Sequence, residues 1–151
     1  MIATHRHDDT MGGLNFMHQH RVSSYALELT RDIAKSENLP LPQHTFKDSL
    51  LLKLDDEPLI CRYFGGGHTS DNIVVWIPGD KILFGGCLIR SAGANNLGNT
   101  TDADLNAWPE TVKKLLAAYK DCKIVVPGHG GIGDFSLIEH TLELLESNKA
   151  Q

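Results

Sequence analysis

A short motif near the start of the chain constrains its fold more than any other feature. His5, His7 and Asp9 stand at alternate positions, and Gly12 and Gly13 follow them. Residues two apart in an extended segment point to the same side, so two imidazoles and a carboxylate can face one cavity. Core packing gives no reason for this clustering in front of glycines. We therefore predict that these three side chains bind metal and that the fold brings further ligands to them.

Three more candidate ligands, His68, Cys87 and His129, lie at the ends of predicted strands, and each directly follows a glycine. Functional sites concentrate in loops held by a rigid sheet, and glycine lets the backbone pack closely around an ion. Imidazole, carboxylate and thiolate together suit zinc better than magnesium or calcium. Three protein ligands per ion would leave a position for water, which is typical of catalytic zinc rather than structural zinc.

The other histidines and cysteines have simpler explanations. A single histidine is more often a surface or hydrogen-bonded side chain than a ligand. Two cysteines lie in apolar, strand-like runs where a small buried hydrophobe is expected. Three cysteines at wide spacing also argue against a disulfide framework. We assign no metal role to His18, His20, His44, His140, Cys61 or Cys122.

Composition excludes several classes of function. With 151 residues and 41% hydrophobic content, the chain is expected to form one soluble domain, residues 1–151. A net charge of −5 without a lysine or arginine run predicts no nucleic-acid partner. The apolar runs are far shorter than the roughly 20 residues that span a bilayer, and the first residues do not form an export signal. We therefore expect no membrane partner.

Alternating strand and helix patterns predict an α/β or α+β fold with sheet and helices in layers. Four extended runs in close order predict a meander of neighbouring strands, with a tight turn at Pro78-Gly79-Asp80. Strands are predicted at 22–26, 49–54, 58–64, 72–78, 81–85 and 123–126, helices at 11–20, 28–37, 102–120 and 135–147, and the end of a strand at 2–5.

The ordered motifs resemble those of the metallo-β-lactamases, specifically the cysteine-bearing broad-spectrum subclass. A general hydrolase of that superfamily would usually carry a histidine directly after the motif aspartate, where this chain has Thr10, and an aspartate in place of Cys87. The resemblance covers nearly the whole chain. The motifs that carry it are His5-Arg-His-Asp-Asp9 with Gly12-Gly13, Gly67-His-Thr-Ser-Asp-Asn72, Phe84-Gly-Gly-Cys87 and Pro127-Gly-His-Gly130.

This resemblance implies a four-layer αβ/βα sandwich that holds two zinc ions and hydrolyses β-lactam antibiotics, which confers resistance. A zinc-bound hydroxide would attack the lactam carbonyl, with Asp9 as the catalytic residue that orients the water. Arg90 and Asn96 would bind the substrate, although Arg90 could instead be a solvated surface residue and Asn95 could take the place of Asn96. The implied ligands are His5, His7 and His68 for the first zinc and Asp9, Cys87 and His129 for the second.

The resemblance also predicts what this chain lacks. Family members carry a substantial portion before the first motif that forms one sheet of the sandwich and a hairpin over the substrate. We therefore expect a fold incomplete at its N-terminal half, with an uncovered sheet face and edge that favour self-association. A periplasmic location is expected from the family, without a signal peptide in this chain. The alternatives to a β-lactamase are a zinc-binding fragment with little or no turnover and a different hydrolase of the superfamily.

Overall fold

The computed structural model of the protein describes residues 1–149, which form two β-sheets and five helices. The mixed α/β fold predicted from the sequence is confirmed. In chain order the elements are α1 (Asp8–Met11), α2 (Leu14–Gln19), β1 (Tyr25–Leu27), α3 (Glu28–Ser36), β2 (His44–Phe46), β3 (Ser49–Leu54), β4 (Glu57–Tyr63), β5 (Ile73–Ile77), β6 (Ile82–Gly86), α4 (Trp108–Ala118), β7 (Ile124–Pro127) and α5 (Ser136–Lys149).

A five-stranded sheet in the order β3-β4-β5-β6-β7 forms the centre of the fold. The first four strands are an antiparallel meander, as predicted, and β7 pairs parallel to β6 after α4. Successive residues of a strand point to opposite faces. Val74 and Leu83 therefore pack with α4 and α5 on one face, while Ile73 and Val75 belong to a second core on the other.

That second core joins the main sheet to a small parallel sheet made of β1 and β2. Leu27 of β1 and Phe46 of β2 are buried against Cys61, Ile73 and Val75 of the main sheet. The sequence did not predict β2, which has only three residues. The small sheet supports the segment that contains the first motif, because the Ala3 N–H donates to the carbonyl of Tyr25.

Several predicted boundaries were wrong for identifiable reasons. The helix predicted over residues 11–20 is shorter in the structure, where α2 spans Leu14–Gln19. A separate helix, α1, ends at Met11 before Gly12-Gly13, where glycine disfavours a continuous helix. The strand end predicted at residues 2–5 is a single bridge from Ile2 to Tyr25. The helix predicted from residue 102 begins at Trp108. The Asp104 carboxylate accepts hydrogen bonds from the N–H groups of Asn106 and Ala107, and these bonds hold residues 104–107 in a turn.

Apolar side chains of the main sheet remain exposed to solvent. Leu51 and Leu54 on β3 are 60% and 66% exposed, and Phe84 and Ile124 are 37% and 38% exposed. Within residues 1–149, no strand pairs with the outer edge of β3. The same residues include no helix long and apolar enough to cross a membrane. The free edge matches the sequence expectation, whereas the expected uncovered face is partly covered by the small sheet of β1 and β2. Self-association stays a prediction.

Candidate metal centre

The six candidate ligands lie at one edge of the main sheet and in the segment that leads into α1. Strands β4, β6 and β7 run in the same direction, so their carboxyl ends meet at that edge. The Ile73 N–H donates to the carbonyl of Thr4 at 2.9 Å and ties the first segment to the start of β5. His68 follows β4, Cys87 follows β6 and His129 follows β7, while His5, His7 and Asp9 come from the first segment.

Three imidazoles form a triangle at the bottom of the site. The ring centroids are 4.8 Å apart for His5 and His7, 5.1 Å for His5 and His68, and 5.2 Å for His7 and His68. Nδ1 of His7 lies 3.3 Å from Nε2 of His68, and Nε2 of His5 is buried without a hydrogen-bond partner. An unpaired buried nitrogen is costly, and a bound cation would remove that cost. We call these three residues the histidine triangle.

A second group consists of Asp9, Cys87 and His129, whose ligand atoms lie within 4.8 Å of one another. The Cys87 thiol donates to Oδ2 of Asp9 at 3.2 Å, and Nε2 of His129 lies 2.9 Å from the same oxygen. Cys87 is packed under Gly128, where a Cβ atom would come within 2.4 Å of its sulfur. We call this the thiol group of ligands. Sulfur, nitrogen and oxygen donors in one cluster fit zinc.

Asp9 joins the two groups, because its Oδ1 lies 3.4 Å from Nε2 of His5. The ligand atoms also lie within 4.8 Å of one another in two mixed sets, His5 with His68 and Cys87, and His5 with His7 and Asp9. The division of the six ligands between two ions therefore stays a prediction, although the structure brings all six together.

Burial keeps two rings of the histidine triangle, His5 and His68, in the neutral form that can bind a metal. Desolvation lowers the pKa of His5 to about 4, with Asp9 opposing this effect, and lowers the pKa of His68 to about 4, assisted by His7. Both rings are therefore neutral near pH 7. A neutral imidazole has a lone pair free for a metal, so no proton must leave these two rings when an ion binds.

The thiol group differs, because one of its members carries a proton near neutral pH. Burial and, after it, the Asp9 carboxylate raise the pKa of the Cys87 thiol to about 12, with Arg90 partly opposing both effects. Burial would also raise the pKa of Asp9. The hydrogen bond from Cys87 and the nearby His5 and His129 outweigh burial and hold that pKa below its usual range. Asp9 is therefore an anion that faces a protonated thiol.

His7 is oriented by Asp102 and Arg6, two residues that the sequence analysis does not identify. Nε2 of His7 donates to Oδ2 of Asp102 at 2.9 Å, and Oδ1 of Asp102 pairs with Nη2 of Arg6 at 2.7 Å. Hydrogen bonds from His7 and Arg6 lower the pKa of Asp102. Because the Nε2–H of His7 is hydrogen-bonded to Asp102, the lone pair of Nδ1 can face an ion. No local motif marks Asp102, which is 95 residues from His7.

An open cavity of about 530 Å³ lies above the ligands. Its wall combines four carboxylates and one arginine with the imidazoles. The wall residues are Arg6, His7, Asp8, Asp9, Glu37, Leu39, His68, Asn99, Asp102 and His129.

The two predicted substrate-binding residues lie outside that wall. The half-buried Arg90 guanidinium packs against Gly98, where a Cβ atom would come within 3.0 Å of Nη1. Arg90 lies close enough to His68 and Cys87 to lower the pKa of both. Asn96 accepts the Gly98 N–H at 2.9 Å and lines a separate cavity of about 130 Å³. The asparagine on the larger cavity is Asn99. The substrate roles of Arg90 and Asn96 stay predictions.

Comparison with known families agrees with this geometry. The sequence profile of the metallo-beta-lactamase superfamily matches residues 1–129. The chain belongs to that superfamily. Among curated members, it is 49% identical over 144 residues to a metallo-beta-lactamase type 2 of Bacteroides fragilis, covering 95% of this chain and 58% of that protein. It is 39% identical over 146 residues to a metallo-beta-lactamase type 2 of Bacillus cereus, covering 97% of this chain and 57% of that protein.

Solved metallo-β-lactamase structures share the fold. A metallo-beta-lactamase from Pontibacter korlensis has a TM-score of 0.94 and 43% identity, with 96% of this chain and 67% of that chain covered. The chain thus spans less than two thirds of the length of the curated relatives that it matches. The recognition of the family and of its fold from sequence motifs is confirmed.

Proposed function

We propose that this chain is a zinc-dependent hydrolase that opens the amide bond of β-lactams. The observation that carries the proposal is the buried histidine triangle directly beside the thiol group. Relatives whose names describe them as metallo-beta-lactamases support the reaction class. The histidine triangle, whose rings contact one another, would hold one zinc ion. Asp9, Cys87 and His129, whose ligand atoms lie within 4.8 Å of one another, would hold a second.

When bound, zinc would supply the Lewis acidity that lowers the pKa of water from 15.7 toward roughly 7 and provides hydroxide near neutral pH. The burial of His5 and His68 excludes bulk water from the bottom of the site, which strengthens electrostatic interactions there. Asp102 would keep the His7 ring in the orientation that presents Nδ1 to the metal.

Asp9 is the residue best placed to handle the proton of the attacking water. Its carboxylate is ionised, contacts both ligand groups and is 34% exposed, so it borders on solvent. In the overall reaction the water oxygen bonds to the lactam carbonyl carbon and the carbon–nitrogen bond breaks. Asp9 would orient the water, which would release one proton to solvent as hydroxide forms. The other proton would end on the leaving nitrogen, giving an amine and a carboxylate.

Arg90 is proposed to bind the carboxylate of the substrate. Its Nε atom is buried and unpaired, and a guanidinium can pair with a carboxylate through two parallel hydrogen bonds. Asn96 is proposed as a polar contact to the lactam carbonyl. Its position on the smaller cavity requires the loop of residues 95–98 to approach the ligands when substrate binds.

Hydrolysis of nitrocefin by the purified chain tests the proposal. We expect turnover after zinc loading, loss of turnover with a chelator, and recovery when zinc is restored. Zinc bound at two ions per chain without turnover would instead identify a zinc-binding fragment. Cys87→Ser should lower both zinc content and turnover, and unchanged values for both would refute the ligand assignment.

We further propose that turnover confers resistance to β-lactams when the protein is located in the periplasm, where these drugs act. Expression behind an export signal in a susceptible bacterium should raise the tolerated drug concentration, and the Cys87→Ser variant should not. Self-association is proposed through the free edge of β3, where Leu51 and Leu54 are exposed. Sedimentation at several concentrations should show dimers that Leu51→Lys weakens.

A further inference from the structure

Helix α5 holds residues 90–94, a segment that follows the thiol ligand, at both of its ends. The Arg90 N–H donates to Oγ1 of Thr141 at 2.8 Å, and Nε2 of His140 lies 2.8 Å from the carbonyl oxygen of Ala94. A carbonyl oxygen only accepts, so Nε2 of His140 is the donor. We call residues 90–94 the anchored segment. Two neighbouring residues of one helix thus fix its backbone at both ends.

Thr141 is fully buried, and its hydroxyl both accepts and donates. The hydroxyl accepts the Arg90 N–H and donates to the carbonyl of Leu137 at 2.7 Å, one turn earlier in α5. The helix therefore fixes the direction of the threonine oxygen, and this oxygen fixes the backbone of residue 90. Leaving an N–H that is shielded from water without a partner costs free energy, so the bond favours this one position.

The position of residue 90 matters because its guanidinium is a cation close to the metal ligands. Arg90 acts electrostatically on both His68 and Cys87. Its guanidinium packs against Gly98, which has a φ of +74° and where a Cβ atom would come within 3.0 Å of Nη1. Packing thus locates the charged end of the side chain, and the contact with α5 locates its backbone end.

A positioning role for Thr141 predicts a different result from a purely structural role. Removal of a structural contact lowers the free energy of unfolding but leaves the binding of substrate by folded molecules unchanged. Removal of a positioning contact raises KM in folded molecules, and the rise depends on the presence of the Arg90 charge. A double-mutant cycle separates the two roles.

We propose that Thr141 and His140 are positioning residues for substrate binding, which hold the anchored segment so that the Arg90 guanidinium meets the carboxylate of a β-lactam. This inference rests on the proposed β-lactamase function and on the proposed role of Arg90. It extends the substrate site to α5, a helix that contributes none of the six candidate ligands. Both residues would act through Arg90 rather than touch the substrate.

Two variants of Thr141 test the first anchor with the zinc-loaded chain and nitrocefin. Thr141→Val removes the hydroxyl at nearly constant shape, and it should raise KM by about 3- to 10-fold with little change in kcat, the size of one neutral hydrogen bond. Arg90→Gln should raise KM more, by about 10- to 100-fold, because hydrogen bonds to charged groups are stronger. Thr141→Ser keeps the hydroxyl and should restore the KM of the unaltered chain.

The decisive measurement combines Thr141→Val with Arg90→Gln. In the Arg90→Gln background, Thr141→Val should change KM by less than about twofold, because its effect passes through the missing guanidinium. The methyl ester of nitrocefin lacks the charged carboxylate and should be equally insensitive to Thr141→Val. Additive effects in the cycle, or an equal rise in KM for the ester, would overturn the inference with the proposed function intact.

Thr30→Val is the matched control, because Thr30 is a fully buried threonine on a different helix, α3. A rise in KM equal to that of Thr141→Val would overturn the inference, since loss of any buried hydroxyl would then explain it. Zinc content should be the same in Thr141→Val and in the unaltered chain. A loss of zinc would also overturn the inference, because Thr141 would then support the ligands.

The second anchor keeps the inference testable if Thr141→Val does not fold. His140 is half-buried, so His140→Leu should fold and raise KM, whereas His140→Gln keeps a donor and should not. An unchanged KM in His140→Leu would overturn the role of His140. If the unaltered chain does not hydrolyse nitrocefin after zinc loading, the proposed function fails and this inference fails with it.

Discussion

The two ligand groups lie against each other and share Asp9, yet they differ in burial and in proton content. His5 and His68 of the histidine triangle are 1% and 7% exposed and carry no proton to lose at neutral pH. In the thiol group His129 is 64% exposed and the Cys87 thiol is protonated. The histidine triangle could therefore bind an ion without releasing a proton from His5 or His68, whereas the thiol group would have to release the proton of Cys87.

The largest effect expected is the loss of one ligand from the histidine triangle. His68→Ala should weaken zinc binding there by at least about 100-fold, because removing a ligand should cost more than the 10–100-fold loss of an outer-shell partner. Competition with a chromophoric chelator would show one tight site in place of two. His20→Ala removes an exposed imidazole that contacts the Phe16 carbonyl and ring, away from the ligands, and should leave both sites. Two tight sites in His68→Ala would exclude His68 as a ligand.

A smaller effect should follow when the partner of His7 is changed. Asp102→Asn should weaken zinc binding at the histidine triangle by about 10- to 100-fold and affect the thiol group less, since Asp102 contacts only His7 among the ligands. Arg6→Gln should also weaken zinc binding at the histidine triangle, but by less than Asp102→Asn. Asp56→Asn, an exposed carboxylate in the turn after β3, is the control. Equal losses at both groups would show that Asp102 supports the site as a whole.

The proton of Cys87 predicts different pH dependences for the two groups. Between pH 7.5 and 9 the thiol group should bind zinc about tenfold more tightly for each pH unit, because zinc displaces one proton from a thiol whose pKa is about 12. His5 and His68 release none in that range. Zinc titrations at several pH values measure both slopes, and Cys87→Ser should remove the steeper one. Identical slopes for the two sites would contradict the contrast between the groups.

The stability of the zinc-free chain should also depend on pH. Histidine has a pKa of 6.5 when unfolded and about 4 at His5 and His68 in the fold, so the unfolded chain binds more protons between these values. Stability is thus complete above pH 6.5 and falls as the pH is lowered toward 4, by at most about 1.4 kcal/mol per pH unit for each ring. Urea unfolding in chelator measures this slope. His5→Gln should make it shallower, and an unaltered slope would rule out His5 as a source.

The ligands and the meander could be predicted because their signals are local. The spacing of His5, His7 and Asp9, the glycine before each later ligand, and the turn at Pro78-Gly79-Asp80 all lie within a few residues. Strand β3 was predicted at the bounds that the structure has, because its apolar residues are bounded by turns. Ordered motifs added the family, which the profile match confirms.

The surroundings of the ligands could not be predicted in the same way. Asp102 meets His7 only after the chain has passed through four strands of the main sheet, β3 to β6, and Glu37 reaches Arg6 from the end of α3. Neither contact has a sequence period or a fixed spacing. The same reason applies to β2, whose three residues are a strand only because β1 pairs with them. The sequence pattern predicts a helix that includes residue 102, whereas in the structure this residue precedes α4 and its carboxylate binds Arg6 and His7.

The packing of Cys87 under Gly128 has a consequence for the lifetime of the protein under oxidising conditions. Peroxide and alkylating reagents attack an accessible thiolate. Cys87 is 4% exposed, and its pKa of about 12 leaves almost no thiolate at neutral pH in the metal-free chain. If the proposed metals were lost to a scavenger, this sulfur would therefore stay reduced, and the chain could take up zinc again without repair.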